Sequence, residues 1–97
     1  MSMGWHAARK LRRALDGLGR VLGIELLTAT RALDFRAAAG AGAPAAATAA
    51  IHQLFRSRIA PPSSDDFVSP DIEAAHEFVV SGAALAAAER ALGGPLR

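Results

Sequence analysis

The chain has 97 residues, a formal net charge of +2, 52% hydrophobic and 5% aromatic content, and no cysteine. That length allows one small domain at most, and the missing cysteines exclude a disulfide framework and a thiolate metal site. Alanine is the commonest apolar residue; it favours helix but buries little area, so a lone copy has a thin core and partner subunits are expected to cover the remainder.

From Met3 to about Arg36 the leucines fall at Leu11, Leu15, Leu18, Leu22, Leu26 and Leu33. Steps of three and four place them on one face of a single helix, which at 1.5 Å per residue extends roughly 50 Å. Val21, Ile24 and Leu27 widen the apolar face in the second half, which predicts a stretch buried all round. Ser2 is positioned to cap the start. Asp16 and Arg20 interrupt any signal-type apolar run after Arg9, Lys10, Arg12 and Arg13, so a cytoplasmic chain is expected. The uncharged run from Ala37 to Phe55 is too weakly apolar for a membrane span.

Residues 37–44 read as an Ala/Gly/Pro linker, with Pro44 expected in the first turn of the next helix. That second helix is predicted over about 45–58, with Ala47, Ala50, Ile51, Leu54 and Phe55 on one side. Residues 59–69 form a loop. Helices follow over about 70–92: Ser69 is the expected cap, Pro70 fits the first turn, and Asp71 and Glu73 suit the positive end of the dipole. Gly82 either ends or weakens this run, and "GGP" stops it. No alternating strand pattern and no repeat occurs, so the fold class is all-α: a long first helix, then two or three shorter ones.

Four groups of residues bear on chemistry. "GLGRVLG", Gly17 to Gly23, looks like a phosphate loop, yet helix flanks it on both sides, so it reads as small residues for close helix packing. "HAARKLRR" gathers His6, Arg9, Lys10, Arg12 and Arg13 on two turns, without the aromatics of a nucleic-acid surface. It reads as a solvated or interface-facing end, and nucleic acid is disfavoured as a partner. Glu73 and His76, three apart with Glu77 adjacent, make one quarter of a dimetal site at most, and a surface cluster is the expected reading. His52 is expected as a packed histidine. There is no Tyr or Asn, and Ser57, Ser63, Ser64, Ser69 and Ser81 have no His and carboxylate at motif spacing. No catalytic, cofactor-binding or metal-binding residue is therefore assigned.

Two stretches carry a resemblance: "SMGWHAARKLRRALDGLGRVLGIELLTATRALDFR" (residues 2–36), and "DDFVSPDIEAA" with "VSGAALAAAE" (65–75 and 80–89). Together they are similar to the C-terminal end of histidine ammonia-lyases, in the aromatic amino acid ammonia-lyase family. The resemblance implies an almost all-helical fold with long helices at the core of a homotetramer. It also implies deamination of L-histidine to trans-urocanate and ammonia, through a methylideneimidazolone formed from an internal Ala-Ser-Gly. That tripeptide and the family's tyrosines are absent from this chain, and no functional residue carries over. In the family a Glu-Asp-His-Val stretch precedes Ser-Met-Gly, so the chain is expected to correspond to a segment cut just past the last active-site motif. The reading is a helical lyase fragment, inactive alone, in a homo-oligomer or with a companion lyase subunit. The alternative is a small self-associating helical module that binds an acidic partner through Arg9 to Arg13.

Overall fold

A single uninterrupted helix, α1, runs from Met3 to Ala38 and is followed by α2 (Ala46–Arg58), α3 (Ser69–Val80) and α4 (Ala83–Leu92). The computed structural model describes residues 3–63 and 68–96, and among these there is no strand, so the fold is all-α with three shorter helices after the long one. Ser2, Asp65, Asp66 and Phe67 lie outside the described residues.

Each helix ends where backbone chemistry requires it. At the end of α1, Gly40 takes φ +81°, and the N–H groups of Gly40 and Ala41 bond back to the carbonyls of Ala37 and Arg36. This reciprocal pair satisfies carbonyls the helix leaves free. At Gly82, φ is +82°, a conformation costly for any residue with a Cβ, so α3 stops there and α4 leaves in a new direction. The C-terminal end of α2 passes into extended backbone at Ile59, just before Pro61 and Pro62.

Two capping expectations are corrected. Ser69 is not the cap of α3: Val68 holds that position without a side-chain bond, and Ser69 and Pro70 form the first turn. Asp71 lies in that turn as expected. Pro44 precedes the N-cap residue Ala45 and stays outside α2, because the helix begins only at Ala46.

Helix α3 packs against α1, α2 packs against α4, and α1 touches α2 only lightly. Phe55, Ile59, Ala75 and Phe78 form the core, with Leu26, Leu27, Ile51 and Leu54 against them. The Phe55 and Phe78 rings meet edge to face, 5.3 Å between centroids and 79° between planes. Burying each ring contributes about 1.5–3 kcal/mol, and these two rings are the largest apolar side chains fully enclosed. The core is small.

The second half of α1 is not buried all round within this chain. Val21 and Ile24 are 52% and 46% exposed, because α3 and α2 cover one face only. Residues 3–18 have no buried member at all. The radius of gyration is 16.2 Å, against about 13 Å for a compact domain of this size. No helix among the described residues is long and apolar enough to cross a membrane.

Candidate functional site

The residues of chemical interest collect at two seams along α1. At the first, α1 crosses α3 at Gly19 and Gly23. A Cβ on Gly23 would lie 2.9 Å from the His76 backbone nitrogen, and one on Gly19 would lie 3.1 Å from the His76 ring. Both glycines are there because the helix axes come too close for any side chain. Gly17 meets nothing within 4 Å, so two of the three glycines in "GLGRVLG" perform the packing expected of the motif.

His76 is therefore no surface residue. Its side chain is 13% exposed against Gly19, with Nε2 3.4 Å from Asp16 Oδ1 but without hydrogen-bond geometry. The expected surface cluster is corrected on this point, while Glu73 and Glu77 are exposed. Arg20 bridges Asp16, four residues earlier on α1, and Glu73 on α3. The hydrogen bond and charge of Glu73 raise the Arg20 pKa. The arrangement ties two helices together; among the described residues no group of three or more His, Asp or Glu is placed to hold a metal ion.

At the second seam, Asp34 of α1 accepts from both His52 and Arg56 of α2. His52 Nε2 is 2.7 Å from Asp34 Oδ1, and Arg56 places Nη2 and Nε 2.7 and 3.0 Å from Oδ2. Arg56 Nη1 also donates to the Ile59 carbonyl at 3.2 Å, which holds the exit of α2. Burial alone would raise the Asp34 pKa, but the bonds from Arg56 and His52 outweigh it and hold the carboxyl below its ordinary value. His52 is half-buried and packed, and this seam explains why: it is one of only a few contacts between α1 and α2. Asp34 and Arg56 are 22 residues apart, and no spacing rule links them.

Two of the remaining serines bond within their own helices. Ser57 Oγ donates to the Leu54 carbonyl at 2.6 Å and Ser81 Oγ to the Phe78 carbonyl at 3.2 Å. Ser69 sits in the first turn of α3, Ser63 has an interaction of its own, and Ser64 lies outside the described residues. Val80-Ser81-Gly82 forms the turn between α3 and α4, with Ser81 bonded to its own helix, and does not fit the Ala-Ser-Gly from which a methylideneimidazolone is made. His6, Arg9, Lys10, Arg12 and Arg13 are exposed on the free end of α1, and Arg9 lies 5.4 Å over the Trp5 ring. A cavity of about 310 Å³ between α1 and the start of α3 is walled by Ile24, Leu27, Val68 and Ile72, with Arg31 and Asp71 also lining it. Thr28 also lines it, with Oγ1 donating to the Ile24 carbonyl at 3.0 Å.

Among its described residues the chain is all-helical, with two interhelical ion-pair seams along α1. Residues 1–57 match the family described as aromatic amino acid lyase, and the chain belongs to that family. It is similar to the histidine ammonia-lyase of Streptomyces griseus, 44% identical over 93 residues, which is 96% of this chain and 18% of the relative. The histidine ammonia-lyase of Symbiobacterium thermophilum is 47% identical over 96 residues, again 18% of its length. The human histidine ammonia-lyase is 38% identical over 80 residues, 12% of its length. The chain thus spans less than one fifth of the curated relatives it matches. No solved structure matches.

Proposed function

We propose that this chain is a structural piece of a histidine ammonia-lyase: it supplies helices to the subunit core of the assembly and has no catalytic, cofactor or metal residue of its own. The observation that carries the reading is the coverage, in which nearly the whole chain aligns with 18% of each bacterial relative. Its exposed apolar flank on α1 supports the same reading, since a core helix in an assembly needs such a surface. The reaction of the assembly would be deamination of L-histidine in the cytoplasm, with the electrophile and the pocket provided by another polypeptide or another part of the same one.

Mixing or co-expressing the chain with a lyase portion that carries Ala-Ser-Gly, and following urocanate absorbance, tests this. The chain alone is expected to give no urocanate, and the mixture is expected to form a complex with greater activity than the larger portion alone. No complex and no gain overturns the proposal.

A further inference from the structure

The cavity of about 310 Å³ between α1 and the start of α3 has features that the packing of the helices does not use. Its walls are mostly apolar: Ile24 and Leu27 come from α1, Val68 and Ile72 from the start of α3, and Pro62 from the loop before it. Two charged side chains line the same space, Arg31 of α1 and Asp71 in the first turn of α3. Among the described residues neither takes part in an ion pair, with the other or with a third group. Arg56 also reaches the cavity, but its guanidinium is committed to Asp34 and the Ile59 carbonyl.

Both charges are held from behind. The Arg31 guanidinium carbon lies 5.6 Å from the centre of the Phe35 ring, and Asp71 follows Pro70, whose ring fixes the backbone of that turn. The Thr28 hydroxyl donates to the Ile24 carbonyl and keeps lone pairs that can accept a further bond. Arg31 and Asp71 thus share one apolar space without touching, and a ligand that carries both an anion and a cation can fill the gap and pair with each.

We infer that this cavity binds a small zwitterion with an apolar body: an α-amino acid with an aliphatic or aromatic side chain. Its carboxylate pairs with Arg31, its ammonium pairs with Asp71, and its side chain lies against Ile24, Leu27 and Ile72. The guanidinium fork matches a carboxylate in two parallel bonds, and the apolar walls strengthen both pairs by lowering the local dielectric. Volume limits the class. About 310 Å³ is at the small end for a ligand cavity, which admits a single amino acid and is too small for a peptide or a nucleotide. The ligand bridges α1 to α3 farther along α1 than the crossing at Gly19 and Gly23, so occupancy stabilises the docking of the two helices. The inference goes beyond the structural role proposed above and does not depend on it, since every group invoked belongs to one chain.

Titration of the full chain with L-phenylalanine, followed in two-dimensional amide NMR spectra, tests this. The paired probes are 3-phenylpropanoate, which lacks the ammonium, and 2-phenylethylamine, which lacks the carboxylate. Saturable shifts are expected at residues 27–31 and 71–72, and L-phenylalanine is expected to bind about tenfold or more tightly than either probe. Arg31→Gln is expected to weaken L-phenylalanine about tenfold and leave 2-phenylethylamine unchanged, whereas Asp71→Asn weakens it equally and leaves 3-phenylpropanoate unchanged. Both side chains are outside the core, so unchanged helix content by circular dichroism confirms that folding survives. L-Phenylalanine is also expected to raise the urea midpoint of the unaltered chain more than that of either variant. No saturable shift at about 10 mM, equal affinity for the three compounds, or affinities that both substitutions leave unchanged overturns the inference. Any of these leaves the proposed function standing, because no lyase portion enters the measurement.

Discussion

Gly23 is the residue at which the packing of α1 is most sharply defined. Replacing it with Ala gains up to about 1 kcal/mol of helix propensity but forces a methyl group against the His76 backbone, where overpacking costs about 1–3 kcal/mol. A net loss of stability is expected in a urea melt. Gly17→Ala meets open space and is expected to stabilise by up to about 1 kcal/mol, so the two alanines should move the midpoint in opposite directions. Asp34 offers a second test. Its carboxyl is held below the ordinary value of 3.8 in the folded chain, so its contribution is present above the unfolded pKa and is lost as pH falls through the folded one. Stability is therefore expected to drop progressively below about pH 4–5, and Asp34→Asn is expected to flatten that acid limb in melts run across pH. At neutral pH Asp34→Ala leaves Arg56, whose side chain is 13% exposed, without its carboxylate, at a cost of about 1–3 kcal/mol. The role of the glycines was legible from sequence, because small residues inside a helix need a packing reason. Asp34 with Arg56 was not: pairs across helices depend on how two axes settle, and no local period encodes that.

At the scale of elements, the molecule has two unequal units: a body in which α2, α3, α4 and α1 from Gly19 onward surround Phe55 and Phe78, and residues 3–18 of α1, none of them buried. Phe78→Ala removes one of the two enclosed rings and is expected to cost about 3–5 kcal/mol, enough to unfold much of a marginal chain, as far-ultraviolet circular dichroism at room temperature would register. Amide exchange separates the units. Protection over residues 3–18 is expected to rise with protein concentration, whereas that around Phe55 and Phe78 is expected to stay constant. The period of the leucines made α1 legible from end to end, and "GAGAP" and "PP" marked the breaks. The cap of α3 was misread because Ser69 is a good capping residue by type, yet Val68 begins the helix and leaves Ser69 inside the first turn. The all-round burial expected for the second half of α1 is not met within this chain, in keeping with the expectation that partner subunits cover the remainder: an apolar surface in a sequence says that something covers it, not that the covering belongs to the same chain.

Taken whole, the structure measures 60 × 39 × 18 Å. Its thinnest dimension is under two helix diameters, so the molecule is a plate rather than a ball. No part of a plate that thin lies much more than about 9 Å from one of its two broad sides. A chamber that must exclude water while it holds a polar substrate needs walls on every side, and a plate provides one. Any dry chamber to which this chain contributes is consequently a joint construction of several surfaces, which opens when they separate. Where those surfaces belong to separate polypeptides, activity drawn from such a chamber would disappear on dilution before any single chain had unfolded.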